Sequence, residues 1–301
     1  MNKNQRQLFE KDPEKYLENE IKVFTATSPS NSLPAFGNSP IYDEPIVGFA
    51  NGDDHLFKRY KTIIDDFHLT PREALELHIN KNSGVGENPS EISVISWILP
   101  KTYETRLSLR KETQLGSMRE NHTRWLGEIF VADLSKHIVL LLKEMCYQAV
   151  APELADFYEG KNLAVGRVRN WSQKHIAYAA GLGTFGLNGG FISEKGVAVH
   201  CGSIVCDIKL QPNKNVNENP FGHCLFHQDG SCGLCIERCP AGAISENGLD
   251  RNRCAKSLMQ EQKTVLEKLA EKEDYMGKYP GCGLCHTAVP CEHKIPQIIT
   301  T

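Results

Sequence analysis

The chain has no run of about eighteen apolar residues, so no membrane-spanning helix is expected. Its first residues, MNKNQRQLFEKDPEKY, are charged where a secretory leader would be apolar, and there is no twin-arginine signal. Basic residues are not in excess: 34 Lys and Arg stand against 37 Asp and Glu, a formal net charge of −3. That balance lacks the basic surface of a nucleic-acid binder, so nucleic acid is not an expected partner. Together these absences lead to the expectation of a soluble cytoplasmic protein, in a cell able to keep thiols reduced.

What the chain has in quantity is cysteine, eleven in 301 residues, eight of them between Cys224 and Cys291. The segment CLFHQDGSCGLCIERCPAGAI places Cys224, Cys232, Cys235 and Cys239, the last followed by Pro240. Two close thiols and a cysteine before proline form the second half of a bacterial ferredoxin motif, in which that last cysteine serves the neighbouring cluster. Cys254 follows, then a long stretch of helical character, then GCGLCHTAVPCE with Cys282, Cys285 and Cys291. Eight thiolates are the requirement of two four-iron clusters. Three other readings compete. Disulfides need an oxidising compartment, which the absent leader argues against. Two zinc sites of four cysteines have the right ligand count, but the CxxxCP ending and the small run Ala241, Gly242, Ala243 suit close packing on a cluster. Unligated core cysteines fit poorly with a CxxC that occurs twice.

In chain order, residues 1–45 open with a charged helical stretch and become SPSNSLPAFGNSPIYDEP, rich in Ser, Pro and Asn; they read as an extended arm with little core of its own. Asp54 to Asn80 is helical, with Thr70 as N-cap and Pro71 at the first position. EISVISWILP reads as a buried strand. Residues 103–146 form one or two helices, with Trp125, Ile129, Leu134, Ile138, Leu141 and Met145 as an apolar stripe that packs a core. Next comes NWSQKHIAYAAGLGTFGLNGG, where Asn170 or Ser172 caps a short helix and five glycines crowd Gly181 to Gly190. GLGTFG matches GxGxxG, yet a helix precedes it and strands follow, which rejects a dinucleotide site. FIS and VAVHCGSIVCDIKL read as a hairpin across SEKG. Cys201 and Cys206 point to opposite strand faces and read as core, as does Cys146.

AYAAGLGTFGLNGG, then a hairpin, then RCPAGAI, RCAKSLMQE and GCGLC resemble the cobalamin-dependent epoxyqueuosine reductases and their relatives, the reductive dehalogenases. The resemblance covers about two thirds of the chain, from EISVISW to Cys291. It implies an α/β, nitroreductase-like domain at 46–215 binding a base-off cobalamin with no protein imidazole on cobalt, and a ferredoxin-like domain at 216–301 with two [4Fe-4S] clusters, behind the 1–45 arm. Carried over by residue, one cluster takes Cys224, Cys232, Cys235 and Cys291, the other Cys239, Cys254, Cys282 and Cys285. Gly181, Gly183, Gly186, Asn188, Gly189 and Gly190, with His175, would line the corrin.

The departures concern the substrate. Arg167 stands where the resemblance implies an aspartate proton donor, and the repeat-helix domain that holds tRNA has no counterpart after Cys291. Both point away from epoxyqueuosine in tRNA and toward a small, anionic organic substrate met by Arg167. The dehalogenases' export leader and membrane partner have no counterpart either. Arg169 and His175 lie close by; Tyr178, one helical turn from Lys174, would donate the proton. The expected activity is a cobalamin-dependent iron–sulfur reductase fed by a low-potential ferredoxin or flavodoxin. The alternatives are a ferredoxin-type electron carrier, a reductive activator of another corrinoid protein, and an epoxyqueuosine reductase.

Overall fold

The computed structural model describes residues 3–83, 89–213, 216–268 and 281–297, and its architecture is mixed α/β. Two helices come first, α1 (Lys3–Lys11) and α2 (Pro13–Thr27). Asp12 caps α2, its carboxylate accepting from the Lys15 amide at 3.0 Å, with Pro13 in the first turn. Leu17, Ile21, Leu33 and Ile41 are fully buried, so the expectation of an arm with little core is corrected. The irregular chain can be buried because one side chain satisfies four backbone groups. Asn31 donates to the carbonyls of Thr25 and Tyr42 and accepts from the amides of Ile41 and Tyr42.

Next follow β1 (Ile46–Asn51), α3 (His55–Ile63), α4 (Pro71–Ser83), β2 (Ser93–Pro100), α5 (Tyr103–Arg110) and α6 (Met118–Glu144). Thr70 and Glu73 form a reciprocal capping box at the start of α4. After α6 come β3 (Ala149–Val150), β4 (Gly160–Leu163), β5 (Gly166–Arg169), α7 (Gln173–Ala179), β6 (Gly183–Phe185), β7 (Phe191–Ser193) and β8 (Val199–Cys206). The cysteine-bearing segment holds α8 (Leu225–Asp229), α9 (Leu234–Glu237), β9 (Ile244–Ser245), β10 (Gly248–Leu249) and α10 (Arg251–Lys268). The long stretch expected between Cys254 and Cys282 is helical as far as Lys268; its remainder lies outside the described residues.

The central sheet runs β1-β2-β8-β3 and is antiparallel throughout. Its β2 strand is buried at every position, and the pleat divides the side chains between two cores. Ile95, Trp97, Leu99, Ile204 and Cys206 face α2 and α6, whereas Val94, Ile98, Cys201 and Val205 face α3, α4 and α7. Trp97 fits opposite Gly202, where a Cβ would stand 2.4 Å from the indole nitrogen.

Three readings of this region are corrected. β8 joins the central sheet, and β7 pairs with β6, leaving one bridge, Ser193 to Gly196, across SEKG. An almost wholly buried strand needs covered faces on both sides, which the central sheet gives β8. The α6 stripe runs through Phe130, Val131, Leu134, Ile138 and Leu142, leaving Ile129 44% exposed. Cys146 is exposed at a positive φ of 68°, in the turn that ends α6.

Candidate functional site

Cys224, Cys232, Cys235 and Cys291 line one small apolar cavity, walled by Leu187, Ile192, Phe226 and Val289. They arrive from three places: the N-cap of α8, the first turn of α9 with the loop before it, and the last described segment. Burial and then the neighbouring thiols push Cys235 up to about 11 and Cys291 up to about 12. Burial likewise raises Cys285, whose surroundings include the thiols of Cys282, Cys254 and Cys239. Cys224, Cys232, Cys235 and Cys291 thus share one cavity, while Cys282, Cys254, Cys239 and Cys235 all bear electrostatically on Cys285. Crowded, buried thiols resist ionisation until a metal centre takes them as thiolates, which is the donor chemistry that a [4Fe-4S] cluster needs. Cys239 also accepts from the Ala243 amide at 3.3 Å, the kind of bond that tunes a cluster sulfur.

Charged side chains tie these groups to the sheet half. Glu292, next to Cys291, accepts from the guanidiniums of Arg110 at 2.7 Å and Arg106 at 3.4 Å and from the Ala288 amide at 2.8 Å. Arg238, between Cys235 and Cys239, donates to the carbonyls of Leu284, Thr287, Glu112 and Leu109. The amides of Val197 and Ala198 donate to the carbonyls of Cys291 and Glu292.

Beside the thiols opens a cleft of about 790 Å³, bordered by α6, α7 and β8 on one side and by Gly281, Cys282 and His286 on the other. Cys282, which bears on the Cys285 thiol, is thus also part of the cleft wall. Three imidazoles face in, His175, His200 and His286; burial pushes them down to about 3, about 4 and about 3, so they are neutral at pH 7. The His200 Nδ1 meets the Tyr42 hydroxyl at 3.1 Å, and Gly127 in α6 leaves room for that hydroxyl. Glu120 pairs with Lys101 through one oxygen, while its other oxygen is buried without a hydrogen-bond partner. A buried acceptor left open at a cleft wall suits a ligand that carries N–H or O–H groups. Glu153 also lines the cleft; burial raises its carboxyl, and the Tyr158 hydroxyl donates to it at 3.3 Å.

Of the sequence-derived residues, Arg167, Arg169, Lys174, His175 and Gly189 line this cleft, and the Lys174 Nζ donates to the Gly189 carbonyl at 2.6 Å. Tyr178 does not line it: its hydroxyl donates to the Asn217 carbonyl, turned away from Lys174. Helical spacing placed the two on one face, but a long lysine and a packed aromatic diverge beyond Cβ. Gly181, Gly183, Gly186, Asn188 and Gly190 do not line it either. Gly181 ends α7 at a φ of 70°, Gly183 presses on the Ile192 carbonyl, and Gly190 sits against Val197. Gly186 and Asn188 face the first thiol cavity, where the Asn188 amide donates to the Cys285 carbonyl at 2.8 Å. The glycine bend thus packs against the thiol-bearing segment. Glu120, Glu153, His200 and Arg251, which the sequence reading missed, come from separate elements and share no spacing that could have united them.

Comparison with known proteins agrees with the thiol geometry. Residues 229–292 match the 4Fe-4S double cluster binding domain family, which supports two [4Fe-4S] clusters. Cys224 lies outside the matched residues, yet the structure sets it on the first cavity. An epoxyqueuosine reductase of Synechocystis sp. is 32% identical over 127 residues, 42% of this chain and 41% of that protein. One of Bacillus cereus is 29% identical over 121 residues, 40% of this chain and 29% of that protein. The chain therefore spans less than half the length of either relative. A solved epoxyqueuosine reductase with an epoxyqueuosine-modified tRNA stem loop aligns over 82% of this chain and 61% of its own, at 18% identity and a TM-score of 0.42. The chain resembles epoxyqueuosine reductases, whose name marks a nucleoside as what they act on, and the expectation that nucleic acid is no partner is corrected on that ground. Net charge averages over a whole surface and does not report on one cleft. Among the described residues no helix is long and apolar enough to cross a membrane.

Proposed function

We propose that this chain is an iron–sulfur reductase of the epoxyqueuosine reductase kind, in which two [4Fe-4S] clusters feed a base-off cobalamin held in the cleft. The observation that carries the reading is the position of Cys282, which lines the cleft and bears electrostatically on the buried thiol of Cys285. In this reading residues 46–215 form a nitroreductase-like domain and 216–301 a ferredoxin-like one, in the cytoplasm, with electrons from a low-potential ferredoxin or flavodoxin. Cys224, Cys232, Cys235 and Cys291 hold one cluster; Cys239, Cys254, Cys282 and Cys285 hold the other. The open oxygen of Glu120 and the carbonyl-bound Lys174 would hold the corrin's amide groups. Bound there, the corrinoid supplies reduction at a carbon–heteroatom bond.

The chain's own residues orient the substrate, exclude water and deliver a proton. Arg167 cannot donate one at neutral pH, and Tyr178 is outside the cleft. Glu153 is the donor, because its carboxyl faces the cleft and burial keeps it protonated to higher pH than an exposed carboxylate. The substrate is epoxyqueuosine in tRNA or a closely related modified nucleoside.

The test is to titrate cobalamin into anaerobically prepared protein, then add reductant and an epoxyqueuosine-containing tRNA stem loop. A base-off spectrum and queuosine formation are expected. Glu153→Gln should retain the base-off spectrum and lose about a hundredfold in turnover. In the parent protein turnover should fall as pH rises through the raised Glu153 value. Failure to bind cobalamin would reduce the chain to an electron carrier.

A further inference from the structure

A chain of hydrogen bonds runs from the core of the sheet half to the cleft wall and ends on Glu153. It starts at Trp171, which is buried with its indole stacked on the His68 ring, the two planes 8° apart. The Trp171 Nε1 donates to the Ser203 hydroxyl at 3.1 Å, and Ser203, buried on β8, donates to the Gln173 Oε1 at 2.6 Å. Gln173, the first residue of α7, in turn hydrogen-bonds the Glu153 carboxyl, which sits in the short 3-10 turn Pro152–Leu154. Trp171, Gln173, Glu153 and Tyr158 all line the cleft.

Each link fixes the direction of the next. An indole nitrogen can only donate, so the Ser203 oxygen accepts there. Among the described residues that oxygen meets only Trp171 and Gln173, and a buried hydroxyl proton needs an acceptor. The Gln173 carbonyl takes that proton, which leaves the N–H groups of the same amide to face Glu153. Turned the other way, the amide would leave the Ser203 proton buried and unmatched. Burial is the largest influence on Glu153 and opposes its ionisation; the Gln173 hydrogen bond comes next and favours the charged form. The Glu128 carboxylate on α6 opposes ionisation, whereas the Tyr158 hydroxyl and the Arg169 guanidinium on β5 favour it. The Cys201 thiol on β8 feels the same carboxyl.

We infer that Gln173 is a positioning residue for the proton donor: Trp171 and Ser203 lock its amide so that an N–H group faces Glu153 and holds the carboxyl at the cleft wall. This rests on Glu153 being the donor in the cleft. The lock ties a carboxyl carried by a short turn to the central sheet through Ser203. An amide N–H also stabilises the carboxylate left behind once the proton has gone, so Gln173 eases delivery as well as aiming it.

The test reads the Glu153 carboxyl itself in cluster-loaded protein, as the infrared band of its protonated form, assigned by its loss in Glu153→Gln. Gln173→Met keeps the side-chain length and removes the donor, so the pH midpoint of the band should rise by about one unit. Ser203→Ala frees the amide to turn and should shift the midpoint the same way by less. A midpoint that stays or falls in Gln173→Met overturns the inference, a fall being the sign of a carbonyl that faces the protonated acid. Should Gln173→Met fail to hold its clusters, Ser203→Ala decides by the same two outcomes. With the epoxyqueuosine-containing stem loop as substrate, turnover of Gln173→Met should drop about tenfold at unchanged KM. The pH at which that turnover is half lost should follow the band. Full turnover in Glu153→Gln together with the midpoint shifts discards Glu153 as donor and keeps the amide lock; turnover lost in Glu153→Gln with midpoints unmoved keeps the donor and discards the lock.

Discussion

Around the central sheet, apolar side chains fill both faces, with Trp97, Phe57, Phe130 and Trp171 almost wholly out of water. Around the thiols the buried apolar set shrinks to Leu187, Ile192, Val197, Ile244 and Val289, with Cys224 among them. In that second region, buried thiols and a few charged locks occupy the space that side-chain packing fills in the first. Apolar burial at roughly 25 cal/mol per Å² is enough to hold a sheet and its helices, but a segment this poor in apolar contacts needs cross-links. The difference teaches where the metal matters: the sheet half stands by its core, and the cysteine-bearing half stands by its clusters.

The sharpest way to break this comparison is to remove iron. Anaerobically prepared protein should hold about eight irons per chain, and Cys235→Ser should drop that to about four. After complete chelation, amides of 224–254 should exchange with solvent at rates approaching those of an unfolded chain, while those of β2 and β8 stay protected. Equal loss of protection in both regions would show that the sheet half also depends on the clusters.

A smaller effect is expected at the seam. The Glu292 side chain is 3% exposed and faces two arginines, so Glu292→Gln leaves Arg106 and Arg110 without their anion and should cost about 4 kcal/mol. The measurement is the urea midpoint of the cluster-loaded variant against the parent. An unchanged midpoint would mean that the backbone bonds from Val197 and Ala198 hold the two halves together without it.

The third effect belongs to the sheet half alone. His68 is fully buried, accepts from the Ser172 amide at 3.1 Å, and is pushed down by burial to about 4. Its folded value lies below its unfolded one, so the contribution is complete above about pH 6.5 and is lost as pH falls toward 4. The loss amounts to ~3 kcal/mol at most. Thermal midpoints of His68→Gln should therefore vary less than the parent's between those limits, and parallel curves would remove His68 from the account.

Much of the sheet half was legible beforehand. SVISWILP announces its strand through β-branched residues and a tryptophan, and Thr70-Pro71 announces the start of α4. The cysteine spacings were legible too, because a cluster fixes cysteine spacing within one short loop. Ile129 was misplaced because a spacing of three to five fits more than one helical face, and only the sheet beneath α6 selects Phe130 and Leu134. Tyr178 was misread because its neighbours along α7 do not reveal that Asn217 waits for its hydroxyl.

By itself the sequence determined what depends on residues near one another: the CxxC and CxxxCP spacings, the helix caps, the buried strand SVISWILP, and the opposite facing of Cys201 and Cys206. Tertiary structure alone decided which thiols share a cavity, that Leu33, Ile41 and Tyr42 belong to the core, and that Glu120, Glu153, His200, Arg167, Arg169 and Arg251 line one cleft. The physical reason is range. Spacing along the chain is set by bond geometry and survives as a pattern, whereas burial, shared fields and open hydrogen bonds arise only when distant segments pack together.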